Sequence, residues 1–101
     1  MKYNITAIIY DKRGRVLSIG HNNYVKTHPM QAKYANKVGL PNKVFLHAEV
    51  DAVLKLGKSF NKAYKICIFR FNKQGKPMNA SPCPICREML KHTPIKLVEH
   101  T

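Results

Sequence analysis

Short apolar runs separated by polar breaks divide this chain into strands and helices. Tyr3 to Tyr10 is rich in isoleucine and tyrosine, and Arg15 to Gly20 carries Val16, Leu17 and Ile19. Between them, Asp11-Lys12-Arg13-Gly14 is a turn in which glycine makes a positive φ cheap, so a β-hairpin opens the chain. His21 to Asn42 is polar, yet Met30, Lys33, Tyr34, Lys37 and Val38 recur at helical spacing. Pro29 suits the start of that short helix, Gly39 its end, and Leu40-Pro41-Asn42 breaks it. From His47, the residues Ala48, Ala52, Val53 and Leu56 again recur at helical spacing, with Gly57 as the stop. Ala63 to Phe71 is apolar on both phases, as in a strand buried on two faces. After the loop Asn72 to Pro77, Cys83 to His92 reads as a helix stopped near Pro94, and Ile95 to Glu99 as a last strand.

The main order is strand, strand, helix, strand, helix, strand. With right-handed crossovers it predicts an α/β fold, a mixed four-stranded sheet flanked by helices. The 101 residues fit one domain over 1–101, with no repeat, linker or low-complexity tract. No run approaches the roughly 20 apolar residues of a membrane span. The apolar start is too short before charge for a secretory signal, which places the chain in the cytoplasm with no membrane partner. Charge changes the picture further. The 18 Lys and Arg against 5 Asp and Glu give a formal +13, scattered from Lys2 to Lys96. Such an excess favours phosphate-bearing ligands or single-stranded nucleic acid, or serves solubility alone.

Three cysteines in a chain without a secretion signal favour metal or redox chemistry over a disulfide scaffold. His47-Ala48-Glu49 opens one predicted helix and Pro82-Cys83-Pro84-Ile85-Cys86 opens another. Either half alone is a weak signal. Together they supply one nitrogen and two sulfur donors, and zinc prefers such donors in a tetrahedron with one corner open for water in catalytic sites. Cys83 and Cys86 at i, i+3 face one side of a helical turn, where the dipole favours thiolates. Glu49, two residues from His47, is placed to move protons at a zinc-activated water without binding the metal.

With these residues the chain resembles the zinc-dependent cytidine/deoxycytidylate deaminase superfamily, whose signature is H-x-E followed by P-C-x-x-C. The resemblance implies zinc held by His47, Cys83 and Cys86, Glu49 as the catalytic acid and base, and hydrolytic loss of ammonia from a base. It also implies substrate contacts. Asn22, in Gly20-His21-Asn22, matches the Gly-x-Asn with which family members hold the sugar. Ala48 lies inside the motif, and Ser81 resembles the serine preceding the cysteine motif in deaminases of polynucleotides. The implied fold is the family's three-layer α/β arrangement, here lacking the family's first helix and last strand. Missing elements leave a sheet face or edge bare, and family members complete one another's active sites, so a homo-oligomer is expected.

Three functions remain in view: deamination of cytosine in a free nucleotide such as dCMP, deamination of cytosine or adenine in single-stranded DNA or RNA, and a non-catalytic zinc module binding nucleic acid. The last would need a fourth ligand from Cys67, His92 or His100. Otherwise Cys67 reads as a buried small apolar residue, His21 and His28 as loop residues, and His92 and His100 as end residues. Tyr24, Tyr34 and Phe45 are candidates to stack on a base, with core packing the main alternative for Phe45.

Overall fold

The computed structural model describes residues 4–23, 27–40 and 46–101. Tyr3, Pro41 and Asn42 therefore lie outside the described residues. The hairpin forms as expected, from β1 (Asn4–Tyr10) and β2 (Val16–His21). Its turn is organised by Asp11, whose Oδ1 accepts from the backbone N–H groups of Arg13 and Arg15, both at 2.9 Å. These bonds, the Arg15 one foremost, hold the carboxyl below its ordinary pKa, and Gly14 supplies the positive φ of 83°.

Three helices and two further strands follow. They are α1 (Pro29–Lys37), α2 (Ala48–Leu54), β3 (Lys65–Phe71), α3 (Pro84–Leu90) and β4 (Leu97–His100). One element is additional to the sequence reading: the α2 helix gives way at Gly57, φ 52°, to a 3-10 turn over Gly57–Lys62. The sheet order is β2-β1-β3-β4, antiparallel at the first two pairings and parallel at the last. This is the expected mixed four-stranded sheet with helices.

Register assigns the two faces. Ile9, Ala7 and Ile5 of β1 stand opposite Ile66, Ile68 and Arg70 of β3. Ala7, Ile9, Ile66 and Ile68 join the buried residues of all three helices in one core cluster, so the helices cover this face. On the other face, Ile8 stands between Ile19 and Cys67, and no described helix packs over them. Ile19 is 45% exposed and Leu97, on the β4 edge, also 45%. Helix α1 does not cover this face; it packs beside α3. There the Tyr34 ring lies 5.7 Å from that of His92, and Lys37 pairs with Glu88 at 3.0 Å.

Helix α2 rests directly on β2. Ser18 Oγ donates to the Ala52 carbonyl at 2.8 Å, and the His21 N–H donates to Asp51 Oδ2 at 2.9 Å. Between them, Gly20 lets the backbones approach so closely that an added Cβ would meet Ala52 N and Ala48 O. Gly20→Ala must therefore push the helix off the sheet. Overpacking of this kind costs about 2 kcal/mol, and the melting temperature is expected to fall by roughly 10 °C. A variant that melts with the wild type in a thermal scan would show that this contact is not tight.

Candidate metal centre and active site

Two helix starts converge on one point. His47 is the N-cap of α2 and Cys83 the N-cap of α3, each with extended backbone and neither with a side-chain capping bond. Their side chains are thereby released from capping and meet each other. His47 Nδ1 lies 3.3 Å from Cys86 Sγ and 3.4 Å from Cys83 Sγ, and the three donor atoms all fall within 4.8 Å of one another. A tetrahedral zinc, with bonds of about 2.3 Å to sulfur and about 2.0 Å to nitrogen, sets N–S separations of roughly 3.5 Å. The residues fit the metal. Pro84 follows Cys83 at the first helical position, where its missing donor costs nothing.

Among the described residues no fourth His, Cys, Asp or Glu joins this group. Cys67 is buried among the strands, where burial raises its thiol pKa. His100 is exposed on β4, and His92 sits against Tyr34 and Glu88. Three protein ligands with an open corner is the arrangement of catalytic rather than structural zinc. The two thiols divide the charge unequally. Cys83 accepts from Cys86, which with the nearby His47 draws its pKa down to about 4, and the buried Cys86 is raised well above the ordinary value.

Glu49, in the first turn of α2, is buried beside the donors, and desolvation raises its carboxyl pKa above the usual range. A carboxyl so placed can hold a proton at a pH where an exposed one has lost it. The centre opens on a cavity of about 370 Å³, lined on the metal side by His47, Glu49 and Cys83.

Asn22, Ala48 and Ser81, the expected substrate contacts, all line this cavity. Asn22 also has structural work: its Oδ1 accepts from Ile5 N at 2.9 Å and ties off the hairpin end. Ser81 Oγ accepts from Arg87 Nη2 at 3.1 Å. Of the stacking candidates, Tyr34 is buried against α3 and does not line the cavity, while Tyr24 and Phe45 lie outside the described residues. His28 is more than a loop residue, since its Nδ1 accepts from Met30 N at 3.0 Å and caps α1. His21 stays exposed, near Thr6.

Two residues were not anticipated. Gln31 is fully buried, and its Oε1 accepts from His47 N at 3.2 Å, so α1 helps to place the metal-ligand backbone. It shares a helix face with Tyr34 and Ala35, and a polar residue in that apolar stripe was the signal available. Arg70 lines the cavity from β3, in the same row as Ile66 and Ile68.

The α/β sheet thus carries a His-Cys-Cys donor set at two helix starts with a buried Glu beside it, a set suited to holding a metal. The fold is similar to that of a cytidine deaminase from Burkholderia pseudomallei, with a TM-score of 0.58 at 15% identity. That match covers 95% of this chain, which spans 65% of the solved chain. Residues 1–100 match the cytidine and deoxycytidylate deaminase zinc-binding region, and the chain belongs to that family. No curated protein matches it in sequence. Zinc is thus the metal the donor set holds. Freshly purified protein should carry about one zinc per chain, and Cys86→Ala should lose most of it. Elemental analysis finding equal zinc in that variant would remove Cys86 from the ligand set.

Proposed function

We propose that this chain hydrolyses the amino group from cytosine in a free cytidine or deoxycytidine nucleotide such as dCMP, giving uracil and ammonia. The observation that supports this most is the buried carboxyl of Glu49 beside a three-donor centre, both facing a cavity of about 370 Å³. That volume suits a single small ligand. Zinc held by His47, Cys83 and Cys86 supplies the Lewis acidity that makes water nucleophilic near neutral pH. Glu49 takes the proton that the attacking water gives up and delivers it to the ring nitrogen N3. It then carries the water's second proton to the departing amino group, which leaves as ammonia. Burial suits it to holding a proton between the two steps, since desolvation disfavours its ionised form. Asn22, already fixed by Ile5, holds the sugar, while Ala48 and Ser81 border the base.

Glu49→Gln keeps the shape of the side chain and the zinc but removes the proton carrier. Turnover of dCMP should fall by about 10²- to 10⁴-fold with zinc content unchanged. Near-normal ammonia release by that variant would take Glu49 out of the mechanism. Running cytidine, deoxycytidine, dCMP and single-stranded oligonucleotides side by side decides the substrate. Turnover of the oligonucleotide alone would favour a polynucleotide deaminase, and none at all a zinc module that only binds.

A homo-oligomer remains part of this reading, supported by the bare sheet face around Ile8 and Ile19 and the apolar residues exposed at the edges, Val16 and Leu97. Like charges oppose it, so the assembly should tighten as salt screens them. Sedimentation showing an 11.6 kDa monomer at both low and moderate salt would exclude it.

A further inference from the structure

We propose that Arg70 determines specificity by binding the phosphoryl group of a cytidine 5′-mononucleotide, an inference that rests on the deaminase reading above. The first support is placement. Along the helix-covered face, β3 presents Ile66, Ile68 and then Arg70, opposite Ile9, Ala7 and Ile5. Two core isoleucines are followed by a cation in the same inward row. Putting a guanidinium there costs desolvation, and a local break in an otherwise consistent pattern is the mark of a functional position. Arg70 stands near the carboxyl end of β3, the strand parallel to β4, which is where α/β sheets hold ligands.

The second support is how the side chain is held. Its Nε is buried, and Nη1 donates to the Asn79 carbonyl at 3.4 Å. The Arg70 N–H donates to Thr101 Oγ1 at 3.1 Å. Arg87 meets the same segment through Ser81 Oγ, so two guanidinium groups bear on Asn79–Ser81. Asn79 and Ser81 both line the cavity.

The third support is chemistry. Cytosine is neutral near pH 7, and so are the sugar hydroxyls; neither calls for a full positive charge. The phosphoryl group is the anionic part of a nucleotide, and the planar fork of an arginine matches its oxygens in pairs. Arg70 lines the same cavity as His47, Glu49 and Cys83, so a cation for the phosphoryl group and the metal donors face one ligand space.

The test compares ligands with and without phosphate in zinc-loaded protein. Calorimetry with the products dUMP and deoxyuridine reads binding without turnover, and kcat/KM for dCMP and deoxycytidine reads the reaction. The wild type should favour the phosphorylated member by about 10- to 100-fold, the scale of a charge-assisted pair. Arg70→Gln should bring that ratio within about threefold and leave the deoxyuridine affinity nearly unchanged, while Arg70→Lys, a point charge, should retain part of it. Equal losses for both members of each pair, or a phosphate preference that survives Arg70→Gln, would overturn the inference. Loss confined to single-stranded oligonucleotide would assign Arg70 to a strand phosphate and overturn the mononucleotide part. A wild type that deaminates nothing fails the functional reading instead, and the dUMP arm still reports on Arg70.

Discussion

Helix α2 lies so close to β2 that a single methyl group at Gly20 would strike the backbone of Ala48 and Ala52. That approach fixes the rest. It sets the height of the first helical turn over the sheet, and this turn carries both Glu49 and, at its cap, His47. Ser18 and His21 hold the helix on either side of Gly20 by hydrogen bonds to Ala52 and Asp51. The cysteines come from α3, which shares the core with α2 but is tied to α1 through Tyr34, Lys37 and Glu88. Gln31 then links α1 back to the His47 backbone. The three ligands thus come from two helices, α2 held by its contact with β2 and by Gln31, and α3 by the shared core and its packing on α1. Exposed ion pairs such as Lys37–Glu88 add little to this, since water and salt screen them.

Much of this was legible from the residues. The hairpin could be read because its turn needs a short acidic acceptor and a residue at positive φ, and Asp11 and Gly14 meet both needs locally. The metal ligands could be read because zinc demands particular atoms at particular spacings. Other features depend on what lies across space. The period of α1 was visible, but nothing in it says that its buried face meets α3 rather than the open sheet. Gln31 looks like an ordinary polar helix residue until His47 N arrives beside it. Asn22 carried a sugar-binding signature, and the structure adds that its side chain also closes the hairpin. The 3-10 turn after Gly57 escaped because its residues, Lys58 to Lys62, show neither period clearly.

The smallness of the fold makes the metal structural as well as chemical. Of the sheet's two faces, one is packed beneath helices and the other leaves Ile8 and Ile19 without a helix among the described residues. A chain of this size buries a modest share of its surface, and a bound ion that joins two helix starts adds to the stability of the folded state by mass action. Its ligands come from the starts of two helices, with Glu49 buried beside them. Metal binding and the last part of folding are therefore coupled through the same residues.

The charge distribution follows from the same constraint. In the proposed reaction Glu49 is the acid and base, and its burial favours the protonated carboxyl by disfavouring the ionised form. The proposed substrate, a free nucleotide, is an anion, and it must enter. The formal charge of +13 answers this at long range, where scattered lysines and arginines raise the local concentration of any phosphorylated ligand without fixing its orientation. Orientation needs a cation at a fixed point inside the cavity. Under the proposal above, Arg70 in the inward row of β3 meets that need. With the phosphoryl group held at Arg70, a substrate of neutral base and charged tail would have one favoured way to lie in the cavity.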